Sequence, residues 1–79
     1  MDVAELTSKL IAYPSVTPNG DVLTQFLTPL LESWGFRCTR IERGGVENLW
    51  AEIGDANKPF LVMNGHCDVV PPGDLSQWT

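Results

Sequence analysis

Basic residues are scarce in this chain. Five lysines and arginines stand against ten aspartates and glutamates in 79 residues, for a net charge of −5. Nucleic-acid binding needs a basic footprint, so the balance speaks against that class of partner. Arg37, Arg40 and Arg43 do cluster, but Glu42 and Glu47 sit among them, which reads as a solvated edge rather than an anion site. Cysteine is equally sparse. Cys38 and Cys67 lie 29 positions apart with no Cys-x-x-Cys pair, too few for a disulfide scaffold and wrongly spaced for a zinc finger. Buried free thiols in a reducing compartment are the expectation. No apolar run approaches a membrane span, so no membrane partner is expected. The opening Met1-Asp2-Val3-Ala4-Glu5 lacks the basic region of a secretory signal, so a cytoplasmic location is expected. There is no internal repeat and no low-complexity tract.

What is present is apolar enough to fold: 43% of residues are hydrophobic. The length allows one domain or part of one, and a chain this short buries only about 60% of the surface its unfolded form exposes.

Two helices come first. Asp2 is placed to cap a helix on which Val3, Leu6, Leu10 and Ile11 share a face, and Pro14 forces it to stop near Tyr13. Residues 14–20 are a connector. A second helix is predicted over 21–34, with Val22, Phe26, Leu30 and Trp34 on one stripe and Gly35 as terminator. Pro29 falls inside it and removes a hydrogen bond, so a kink or break is predicted near Thr28. Three strands are predicted to follow, at 36–41, 48–53 and 60–63. The Gly44-Gly45 pair makes a hairpin loop between the first two. The third, Phe60-Leu61-Val62-Met63, is apolar on both faces, as an interior strand covered by helices on two sides should be. The fold class read from this order is α/β: two helices, then three strands, the opening of a domain with its sheet between helix layers.

The chemistry concentrates at the end of that third run, in Asn64-Gly65-His66-Cys67-Asp68. Ligands of open α/β sheets bind beyond the carboxyl ends of strands. Side chains alternate along extended backbone, so His66 and Asp68 point one way and Cys67 the other. A carboxylate beside an imidazole accepts the N–H of one ring nitrogen, fixes the tautomer and leaves the other nitrogen free for a metal. Gly65 leaves room for close backbone approach, and Pro71-Pro72-Gly73-Asp74 makes a stiff turn. Asp74 is a further, weaker ligand candidate. Cys67, Trp34, Trp50 and Trp78 read as packing residues, and Ser15 and Thr17 as turn hydroxyls with no base beside them.

The run Gly65-His66-Cys67-Asp68-Val69-Val70-Pro71 resembles the co-catalytic zinc aminoacylase and carboxypeptidase family, which hydrolyses amides of amino acids. Pro72-Gly73-Asp74 with Trp78, Pro14-Ser15-Val16-Thr17-Pro18, Gly35-Phe36 and Asn48-Leu49-Trp50-Ala51 agree with it in order. The likeness covers essentially the whole chain, and Cys67 departs at a variable position. The resemblance implies that His66 is a zinc ligand and Asp68 the active-site carboxylate that orients it. It implies two zinc ions per site, with cobalt possible, and a homodimer built through a lid domain. It also implies that residues 1–79 are the N-terminal part of a catalytic metallohydrolase domain with a mixed sheet. A succinylated amino acid is the implied substrate, although deacylases acting on acetylornithine share His66 and Asp68. The other ligands and the general-base glutamate have no counterpart in residues 1–79. The isolated chain is therefore expected to be inactive and, with an interior strand at an edge, to aggregate. A non-enzymatic small α/β module, using the same motif for packing, is the alternative.

Overall fold

The computed structural model describes residues 1–78. Helix α1 spans Val3–Ile11. Asp2 is in extended backbone and its carboxylate accepts from the Glu5 N–H at 2.8 Å, which satisfies one of the unpaired donors of the first turn. The helix ends at Ile11, three residues ahead of Pro14, so the residue before the proline is free of the α region. Tyr13 just beyond it stacks on Phe26, ring centroids 5.8 Å apart, which couples α1 to the next helical segment.

That segment resolves the conflict posed by Pro29. Val22–Leu27 is wound as a π-helix, and helix α2, Thr28–Ser33, starts with Pro29 in its first turn. The first turn is the position where a helix tolerates proline best. The wide turn before it is closed by Thr28, whose N–H and hydroxyl both donate to the Leu23 carbonyl, the hydroxyl at 2.7 Å. Helix α2 closes on Gly35 at φ +92°. The Gly35 N–H donates to Glu32 O and the Phe36 N–H to Leu31 O, both at 3.0 Å, a Schellman ending that needs a left-handed residue.

Strands β1, Arg37–Arg43, and β2, Val46–Glu52, form an antiparallel hairpin in which Arg43 pairs with Val46 and Arg37 with Glu52. Gly44 and Gly45 at φ +58° and +81° make the two-residue loop whose twist matches the strands. Leu49 and Ala51 share the half-buried face of β2. On that same face the Arg40 guanidinium reaches diagonally to Glu47, with Nε 3.1 Å from a carboxylate oxygen.

The third predicted strand does not form. Residues 60–63 form no regular structure and pair with no strand, and Leu61 and Met63 are 83% and 86% exposed. A run apolar on both faces is held as a strand only by neighbours that pair its edges and layers that cover its faces. Among the described residues the hairpin is the only sheet, and Val22, at 2% exposure, is the only buried residue. The sheet is therefore two-stranded and antiparallel, not a sheet between helix layers. The tryptophans Trp34, Trp50 and Trp78 are exposed rather than packed, and so is Cys67; Cys38 is half-buried. The radius of gyration is 14.9 Å. A compact domain of this length has about 12 Å. The α/β class holds, but the described residues enclose almost no core.

One close approach was not foreseen. An added Cβ on Gly20, in the connector, would lie 2.8 Å from the Glu47 side chain, whereas one on Gly65 would meet nothing within 4 Å. Gly20 is the position where the connector crosses the hairpin, and Gly65 has no such role. Gly20→Ala is expected to lower stability by about 1–3 kcal/mol through overpacking. Gly65→Ala should stay within about 0.5 kcal/mol. Thermal melts followed by circular dichroism separate the two.

The Arg40 hydrogen bond, opposed by some desolvation, holds the Glu47 carboxyl below its ordinary value. A depressed carboxylate stabilises the fold above its unfolded pKa, and the contribution is lost as pH falls through the folded value. Arg40→Met is expected to raise the Glu47 titration midpoint, read by side-chain carboxyl chemical shifts, and to flatten the acid limb of stability.

Candidate functional site

Among the described residues, the backbone hydrogen bonds of residues 64–70 are made at one junction. Val16 and Val69 form a parallel bridge, with the Thr17 N–H donating to Val69 O at 3.0 Å and the Val69 N–H to Ser15 O at 2.9 Å. The segment then runs along a cleft of about 310 Å³ between the connector and β2, with His66, Cys67 and Asp68 in its wall beside Gly20 and Glu47.

The predicted pair does come together. His66 Nδ1 lies 3.2 Å from Asp68 Oδ1 and 3.0 Å from the Asp68 carbonyl oxygen. Both partners are acceptors, so Nδ1 carries the proton and Nε2 is left bare in the neutral ring. The imidazole is 84% exposed and the carboxylate 46%. No packing fixes the ring; its hydrogen bonds do.

Sequence reasoning missed the far side of Asp68. Thr17, 51 residues earlier, donates its hydroxyl to Asp68 Oδ2 at 2.6 Å, with the Val69 carbonyl at a longer 3.3 Å. The only signal for it in the sequence was a hydroxyl residue in the connector, and that pattern fits any turn. The Thr17 hydroxyl is the main cause holding the Asp68 carboxyl below its ordinary value; partial desolvation opposes it and the imidazole adds a smaller lowering.

Asp74 is occupied elsewhere. Its Oδ1 accepts from the Ser76 N–H at 3.0 Å and the Ser76 hydroxyl at 2.7 Å, capping the short 3₁₀ turn Leu75–Gln77. Trp78 donates its indole N–H to Pro72 O at 3.1 Å and closes the turn. Although Cys67 is exposed, partial desolvation of its sulfur, then the Asp68 carboxylate, push the thiol up, which makes it a poor thiolate donor at neutral pH.

These donors do not make a metal site by themselves. Among the described residues no group of three or more His, Cys, Asp or Glu side chains is placed to hold an ion. His66 offers one oriented nitrogen, whereas a catalytic zinc takes about three protein ligands. Calorimetric titration of the 79-residue chain with zinc is accordingly expected to give no tight isotherm. A tight two-metal isotherm would show a donor set that this geometry lacks.

A carboxylate-held imidazole on a loop beside a cleft is one part of a site rather than a finished active site. The comparisons with known proteins agree. Along essentially its whole length the chain is homologous to succinyl-diaminopimelate desuccinylases. It is 50% identical over 76 residues to the one from Bordetella pertussis, covering 96% of this chain and 20% of that protein. It is 53% identical over 74 residues to the one from Janthinobacterium sp. (strain Marseille), and 46% identical over 80 aligned positions to that from Ruegeria pomeroyi. The chain thus spans about a fifth of the length of the curated relatives it matches. No family model and no solved structure matches it.

Proposed function

We propose that this chain is the N-terminal part of the catalytic domain of a succinyl-diaminopimelate desuccinylase. The whole protein would be a metal-dependent amide hydrolase that releases succinate and diaminopimelate for lysine and peptidoglycan precursors. The observation that carries this reading is identity of about half of all positions to proteins of that name, over 94–100% of the chain.

Within it His66 contributes one ligand through Nε2, and Asp68, by accepting from Nδ1, fixes the neutral tautomer that presents that nitrogen. Zinc, or cobalt in its place, would supply Lewis acidity toward the amide carbonyl and a water of lowered pKa. The remaining ligands and the base that takes the proton would come from other parts of the protein, as would the contacts that choose the acyl group and form a dimer. A cytoplasmic location fits the biosynthetic role, and no described helix is long and apolar enough to cross a membrane. The self-contained module is the weaker reading, because Val22 alone is buried among the described residues.

The test is a chimera in which this chain replaces the matched segment of the Bordetella pertussis relative. The chimera is expected to hydrolyse succinyl-diaminopimelate faster than acetylornithine, and the 79-residue chain to hydrolyse neither. His66→Ala in the chimera should cost about a thousandfold or more in kcat, the equivalent of several kcal/mol of metal stabilisation. Faster cleavage of acetylornithine, or full activity without His66, would refute the proposal.

A further inference from the structure

We infer that Thr17 is a positioning residue of this site: its hydroxyl pins one oxygen of Asp68 so that the other faces His66 Nδ1, and this sets where the bare Nε2 points. The inference rests on the role proposed above for His66 and goes beyond it, because it assigns a function to a connector residue 51 positions away.

Three observations carry it. First, the chain of contacts is continuous and uses both carboxylate oxygens, Thr17 Oγ1 to Oδ2 at 2.6 Å and Oδ1 to His66 Nδ1 at 3.2 Å. An Asp side chain turns through a broad range about its last torsion, so a carboxylate held at one oxygen only is free to swing. Second, the ring is restrained only by acceptors of Asp68, so what holds Asp68 holds the ring. It is 84% exposed, and its second contact, to the Asp68 carbonyl at 3.0 Å, lies in the same short loop. Third, Thr17 is itself placed by backbone. The hydrogen bonds Thr17 N–H to Val69 O and Val69 N–H to Ser15 O hold it opposite Asp68 without its side chain. Removing the hydroxyl therefore leaves the junction in place and tests the polar contact alone.

The variants are Thr17→Val, which keeps the shape and loses the donor, and Thr17→Ser, which keeps the donor. In the chimera Thr17→Val is expected to lower kcat about tenfold, the low end of what loss of an outer-shell partner costs. KM should not change, and Thr17→Ser should restore most of the loss. The second readout needs no turnover. In the metal-free chimera labelled with ¹⁵N-histidine, the His66 ring signals, assigned by their loss in His66→Ala, report the tautomer directly. Thr17→Val should move them from the Nδ1–H form toward a mixture, and Thr17→Ser should not. Parental kcat with unmoved ring shifts in Thr17→Val would overturn the inference, as would equal damage from Thr17→Ser, which would make Thr17 a matter of shape. If the parent chimera is inactive, the desuccinylase reading fails separately, and the ring shifts still decide: moved in Thr17→Val alone they support positioning, unmoved they overturn it.

Discussion

The short parallel junction between Ser15–Thr17 and Asp68–Val69 is the contact on which the site depends. It joins segments some fifty residues apart. Closing a loop of that length costs entropy that grows slowly, as the logarithm of the number of residues, so a few good bonds are enough to hold it. Here there are two backbone hydrogen bonds and one from a hydroxyl to a carboxylate. A hydrogen bond to a charged acceptor is the stronger kind, though exposure reduces what it contributes. Among the described residues, this junction carries the backbone hydrogen bonds made by residues 60–70. Without it His66 would sit on a tether.

The rest of the molecule is built from pieces that are locally complete and weakly joined. The capped α1, the π-helical turn running into α2 and the glycine-turned hairpin each satisfy most of their own backbone groups. What is missing is a shared interior. Apolar side chains from Phe60 to Met63 face solvent, and the exposed tryptophans do the same from other elements. Such surface is worth about 25 cal/mol per Å² once covered, so the stabilisation available to these elements lies in whatever packs against them. This open face and the homology to proteins about five times longer point the same way.

How much could be read in advance follows from the range of each interaction. The Asp2 cap, the left-handed Gly35, the Gly44-Gly45 hairpin and the break at Pro29 all lie within a few residues of their partners, and each was readable from the chain. So was the pairing of His66 with Asp68, because a two-residue step in extended backbone brings both side chains to one side. Gly20 against Glu47 and Thr17 against Asp68 were not readable, since neither partner is near in sequence and neither residue type stands out. The run at 60–63 misled for the converse reason. Its composition records a buried environment, but burial is supplied by other elements, and the described residues do not supply it.

The amino-acid order by itself determined the local turns, the class of fold and the meeting of the His66 imidazole with the Asp68 carboxylate, because those depend on backbone preferences and short spacings. Tertiary structure alone decided that a threonine of the connector grips the carboxylate, that a glycine of the same connector lets the hairpin approach, and that the most apolar stretch stays unpaired. Each of those outcomes is a contact between distant segments, and such a contact exists only once the chain has folded back on itself.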